Sequence, residues 1–177
     1  EVRIGNEGQS PAQVVITTAG QPSVKEPAES QGYQVERNYF TLEGKPADLA
    51  NIKQNERLVV TLKVTELEAA YARLLLVDQL PAGLEIDNPR LVDSGSIDAL
   101  PWLKSEVSVD HAEYKDDRFV AAFERAGKQK AVFYAAYIVR AVTPGQYVLP
   151  PASIEDMYRP ERFGRTAFGT VTVTSAK

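Results

Sequence analysis

Leu58-Val59-Val60-Thr61-Leu62-Lys63-Val64 is the stretch that decides the fold class. Leu58, Val60, Leu62 and Val64 recur at every second position, so they share one face of an extended chain, and Val59, Thr61 and Lys63 share the other. Downstream, Ala72 to Val77 is more continuously apolar, as suits a central strand, and Pro81-Ala82-Gly83 marks its end. Phe119, Ala121 and Phe123 alternate with Val120, Ala122 and Glu124. A turn at Gly127-Lys128-Gln129 feeds residues 131–141, where Val132, Tyr134, Ala136 and Ile138 oppose Phe133, Ala135, Tyr137 and Val139. Gln146 to Leu149 and Thr170 to Thr174 complete the series.

Upstream, a strand pattern runs from Gln34 to Leu42 and stops at Glu43-Gly44-Lys45-Pro46. Residues 2–4 and 13–19 are β-branched runs around a turn-rich loop, and predict a hairpin. Residues 20–32 are nearly devoid of apolar side chains and read as a loop or linker. Residues 1–33 are therefore expected to be leading strands and linker, packing on or preceding a domain at 34–177. Short helices are expected in loops at 47–54 and 94–103, and residues 66–72 read as a connection between strands. Many short strands with recurrent turn signals and no long amphipathic helix predict an all-β fold, an antiparallel β-sandwich.

Composition narrows the chemistry. The 177 residues carry 20 Lys+Arg against 24 Asp+Glu, a net charge of −4, which argues against a nucleic-acid surface. Absence of Cys removes thiol catalysis, disulfides and thiolate metal sites, and a single His removes a multi-histidine site. No cofactor is expected. The best apolar run, Ala131 to Val139, is far short of the roughly 20 residues a membrane-spanning helix needs. The chain opens Glu1-Val2-Arg3-Ile4, without the pattern of a signal peptide, and reads as a processed chain or a fragment.

Candidate catalytic groups are sparse. His111 lies beside Asp110 and near Ser108, but neighbours on a strand point to opposite faces, so an exposed loop histidine is the simpler reading. The acidic pairs Glu66/Glu68, Asp116/Asp117 and Glu155/Asp156 would need to converge across a cleft to act as a glycosidase pair; solvated faces and loops are expected for all three.

The tail is more informative. Pro150-Pro151 is expected to stop ladder pairing, after which Ala152 to Pro160 leaves the sheet as an extended edge or loop. It carries Met157, the chain's single methionine, beside Tyr158 and Arg159. Met157 and Tyr158 read either as two more packing residues or as an adaptable thioether and a flat ring offered to a partner.

The stretch Thr143 to Ala152, with Glu155-Asp156-Met157-Tyr158-Arg159-Pro160 and Gly164-Arg165-Thr166, resembles the C-terminal end of bacterial alpha-2-macroglobulins. Val35-Glu36-Arg37-Asn38-Tyr39-Phe40 with Leu42-Glu43-Gly44, Val77 to Ile86 and Asp117 to Phe123 resemble their last macroglobulin-like domain, of MG10 type. The resemblance covers about residues 34–173. It implies a macroglobulin/immunoglobulin-like sandwich within a large, multidomain, periplasmic protease-trapping protein of a Gram-negative bacterium, anchored at the inner membrane through the parent. In such proteins a bait region is cut and a buried thioester reacts with the protease. The resemblance implies a non-catalytic domain that docks on the thioester domain, with Met157, Tyr158 and Arg159 as the shielding and interdomain contact. Implied partners are the thioester domain and its neighbours in the parent, target proteases through the parent, and periplasmic cell-envelope proteins. The thioester would come from elsewhere in the parent, since this chain has no Cys. The rival readings are a generic immunoglobulin-like adhesion or carbohydrate-binding module, with exposed aromatics away from Met157, and a hydrolase built on acidic pairs.

Overall fold

The structure is a computed structural model that describes residues 2–17, 19, 25–89, 100–103 and 109–176. Its strands, in chain order, are β1 (Glu29–Gln31), β2 (Tyr33–Thr41), β3 (Ile52–Lys53), β4 (Arg57–Glu66), β5 (Tyr71–Gln79), β6 (Leu84–Ile86), β7 (His111–Tyr114), β8 (Arg118–Ala126), β9 (Val132–Ala141), β10 (Gly145–Leu149), β11 (Ala152–Asp156), β12 (Arg159–Arg165) and β13 (Gly169–Thr174). They form a six-stranded sheet in the order β1-β12-β11-β5-β8-β7, a four-stranded sheet β2-β4-β9-β6 and a three-stranded sheet β10-β13-β3. Pairing is antiparallel except between β13 and β3.

The period-two reading of β4 is what builds the core. Leu58, Val60, Leu62 and Val64 are fully buried between the two larger sheets. Burial of each such side chain contributes about 1.5–3 kcal/mol. From the facing sheet come Leu74 and Leu76 of β5 and Phe119, Ala121 and Phe123 of β8. Aromatic pairs lock the two layers: Phe119 stacks on Tyr137 at 4.5 Å, and Phe123 meets Phe133 at 4.5 Å. The three-stranded sheet closes the same core with Ile52, Leu149, Val171 and Val173. Val59 and Ile138, on the opposite face of the four-stranded sheet, are buried too.

A charged cluster ties the layers together. The Arg37 guanidinium bonds Asp78, whose other oxygen accepts the Tyr137 hydroxyl at 2.7 Å. Arg37 also donates to the Pro150 carbonyl at 2.7 Å. Burial, and then the neighbouring Asp78 carboxylate, push the Tyr137 phenol well above its usual range.

Several expectations are corrected. No helix occurs among the described residues. Residues 47–54 form a turn and β3 instead, because Thr172 and Gln54 bond this segment to β13. The helix expected at 94–103 falls mostly outside the described residues; Leu100 to Leu103 is a turn, where Trp102 packs on Phe40 and donates to the Leu42 carbonyl. Residues 2–17 carry no strand, in place of the expected hairpin; within the expected linker, Glu29–Gln31 pairs with β12. The largest difference concerns Pro150-Pro151. The prolines do not release the chain from the sheets; they carry it from the three-stranded sheet into the interior of the six-stranded one, where β11 pairs on both sides.

Candidate functional site

The site is the tip of the β11–β12 hairpin. Along β11, Ala152, Ile154 and Asp156 point inward and Ser153 and Glu155 point out. Asp156 thus enters the core rim as a buried carboxylate. Its Oδ1 accepts the Tyr158 amide at 3.1 Å, and its Oδ2 accepts Arg159 Nε at 2.8 Å and Nη2 at 2.7 Å. Arg159 Nη2 also donates to the Tyr71 carbonyl, and the Met157 amide donates to the Arg73 carbonyl at 2.9 Å. Two backbone amides and one ion pair therefore fix a two-residue turn.

The turn displays what its flanks do not. Met157 is 57% exposed and Tyr158 70% exposed. Neither adopts a positive φ, and a register irregularity at Glu155/Asp156 accommodates the turn. Tyr71, 55% exposed, stands beside them, and a shallow cleft is lined by Tyr71, Ala72, Asp156, Tyr158 and Arg159. The exposed aromatics of the strands and turns, Tyr71 and Tyr158, thus gather at one end of the sandwich rather than in a groove elsewhere. Arg159 differs from its two neighbours in the expected contact set: its charge is turned back onto Asp156 and it holds the turn.

The acidic pairs do not converge. Glu66 is buried and takes Arg125 Nε at 2.8 Å and the Ala131 amide at 2.9 Å, whereas Glu68 faces Arg162 at 3.3 Å. Asp156 and Glu155 lie on opposite faces of β11. Asp117 pairs with Arg118 at 3.3 Å on the surface. The expectation of solvated faces for all three pairs is therefore corrected at Glu66 and Asp156, which are buried because they continue the inward alternation of β4 and β11. His111 lies exposed in β7 with Glu113 at 3.4 Å, while Asp110 accepts the Glu124 amide at 2.6 Å; Ser108 lies outside the described residues.

The buried acids share a signal in the sequence. Glu66 follows Leu58, Val60, Leu62 and Val64; Asp78 follows Ala72, Leu74 and Leu76; Asp156 follows Ala152 and Ile154. Each is the last inward position of its strand, and each receives an arginine, Arg125, Arg37 and Arg159 respectively. Parity alone would have placed all three carboxylates inside.

Comparison with known proteins agrees with this architecture. The family described as Bacterial Alpha-2-macroglobulin MG10 domain matches residues 32–161. An alpha-2-macroglobulin of Xylella fastidiosa is 37% identical over 97% of this chain, which spans only 11% of that protein. The crystal structure of native Escherichia coli alpha-2-macroglobulin, from domain MG7 to the C-terminus, superposes with a TM-score of 0.74 at 30% identity, covering 87% of this chain and 25% of that one. Salmonella alpha-2-macroglobulin reacted with methylamine gives a TM-score of 0.71 at 33% identity, over 88% of this chain and 10% of that one. A sandwich with this strand order, matched across most of its length, belongs to the bacterial alpha-2-macroglobulin MG10 domain family.

Proposed function

We propose that this domain is a non-catalytic docking and shielding module of a protease-trapping alpha-2-macroglobulin in the periplasm of a Gram-negative bacterium. The parent is held at the inner membrane and reaches target proteases and envelope partners through its other parts. The module occupies residues 34–177, and residues 1–33 are leading strand and linker that pack on it or precede it, as the pairing of Glu29–Gln31 with β12 supports. Met157 and Tyr158 dock on the neighbouring thioester domain and cap its reactive site where a thioester is present.

One observation carries this reading: an apolar thioether and a phenol ring stand exposed on a turn that Asp156 and Arg159 hold rigid. Exposure of large apolar groups at a fixed tip is costly in water and favours burial against a partner. A thioester is attacked by water and amines, so a dry apolar lid lengthens its life. The Salmonella relative was studied after reaction with methylamine, a small nucleophile of the kind such a lid would exclude. Opening of the lid on bait cleavage is then a two-state domain movement rather than catalysis. The divergence of the acidic pairs supports the non-catalytic assignment.

The test is Met157→Ala in the full-length parent, with methylamine consumption measured against time. Faster reaction with an unchanged melting temperature is expected. An unchanged rate in a thioester-bearing parent would refute the shielding role.

A further inference from the structure

β1 is what the lead-in adds to the sheets before the chain enters β2. All three of its residues are exposed, and it stands at the edge of the six-stranded sheet with Glu29 opposite Arg165, Ser30 opposite Gly164 and Gln31 opposite Phe163 of β12. β12 thus lies between β1 and β11, so the lead-in is bonded to the hairpin that carries Met157 and Tyr158. One side chain fastens it. Arg165 donates Nη2 to Glu29 at 2.9 Å and Nη1 to Glu26, three residues earlier on the lead-in. The Phe168 amide, just past β12, donates to the Glu26 carbonyl at 3.4 Å. A planar guanidinium offers two separate nitrogens to two carboxylates in a fixed geometry, which an ammonium does not. The three side chains are 27–48% exposed, and pairs so exposed are each worth little, so the fastening is easily undone. At the other end of β1, Gly32, with φ of 96°, turns the chain into β2 of the four-stranded sheet, and its carbonyl accepts the Leu67 amide at 3.0 Å. Pairing is antiparallel, so the lead-in leaves β12 at Arg165, about 20 Å of extended chain from Tyr158, and a pull on it runs along β12 away from the tip.

We propose that residues 25–31 are a strap through which the part of the parent preceding this domain acts on the tip hairpin, and that Arg165 is its clasp. The inference rests on the shielding role of the tip and names what controls it. With the clasp closed, β12 is an inner strand and the tip stands on a hairpin paired on both sides. With the clasp open, β12 becomes a bare edge and the tip loosens with it.

Two measurements test it. In this chain, amide hydrogen exchange is followed by mass spectrometry in peptides spanning 29–31, 163–165 and the tip at 156–160, with 58–64 as the core reference. Arg165→Ala should speed exchange about tenfold at 29–31 and 163–165, the worth of two partly exposed ion pairs, and should speed it at the tip, with 58–64 unchanged. Glu26→Gln combined with Glu29→Gln should match it, and Arg165→Lys should fall between Arg165→Ala and wild type. Salt at about 1 M should speed strap exchange in the wild-type chain and leave Arg165→Ala unmoved. Unchanged exchange at 29–31 overturns the clasp, and faster exchange there with an unchanged tip overturns the coupling. In the full-length parent, Arg165→Ala should raise the methylamine rate by up to about tenfold. If Met157→Ala speeds that reaction and Arg165→Ala does not, the strap falls and shielding stands. If exchange at the tip follows the strap while Met157→Ala leaves the rate unchanged, shielding falls and the strap stands as a link between the lead-in and the tip.

Discussion

Asp156→Ala removes the post on which the tip is built. In the wild-type chain this carboxylate is fully buried, accepts one backbone amide and pairs with Arg159 through two nitrogens. Breaking a fully buried pair by removing one partner costs about 3–5 kcal/mol. The Arg159 side chain keeps 39% of its exposure, so water recovers part of its solvation. The net loss is then about 2–3 kcal/mol, from the orphaned Tyr158 amide and the weakened arginine. For a domain of this size that lowers the melting midpoint by about 5–10 °C. Asp156→Asn keeps an acceptor for the amide but not the charge, and should lose about half as much. Thermal unfolding followed by circular dichroism gives the first number. Amide hydrogen exchange gives the second: Tyr158 should exchange faster in Asp156→Ala, while Val60 in the core should follow only the global change. A melt within about 1 °C of wild type, with Tyr158 still protected, would refute the role assigned to Asp156.

Leu62→Asp should abolish the cooperative melt, because it places an unpaired carboxylate at a fully buried position at a cost above about 4 kcal/mol; far-ultraviolet circular dichroism reads it directly. Asp78→Ala leaves Arg37 buried without its carboxylate and should cost about 3–5 kcal/mol in urea denaturation, whereas Arg37→Met combined with Asp78→Leu should recover most of it. Gly127→Ala should cost more than about 2 kcal/mol by chemical denaturation, since Gly127 has φ of 73° and a Cβ there would sit 2.2 Å from the Tyr71 nitrogen.

Much of the sandwich is legible one strand at a time. The alternation of β4, β8 and β9 can be read without neighbours, because one face of each is buried and the period is short. What escapes local reading is pairing. Pro150-Pro151 looks like an exit because proline cannot donate to a ladder, yet the partners that hold β11, strands β5 and β12, are set by topology and by Arg37 reaching the Pro150 carbonyl. The short helix expected at 47–54 is overridden in the same way, by hydrogen bonds to a strand more than a hundred residues later. The β-branched residues at 2–17 show the converse: a local preference for extended structure does not by itself make a strand.

The tip is where local and global patterns part, and the manner of the parting is informative. In most hairpin turns the polar residues face water and the apolar ones lie on the strands. Here Asp156 and Arg159 turn inward and pair, while Met157 and Tyr158 between them face out. An inversion of this kind costs stability twice, once for desolvating charges and once for exposing apolar surface. Within the sandwich the first cost is offset by the bonds that Asp156 and Arg159 make to each other, to the Tyr158 amide and to the Tyr71 carbonyl, and the second is left over. A surface covering the tip would offset that second cost, which is the role proposed above for Met157 and Tyr158.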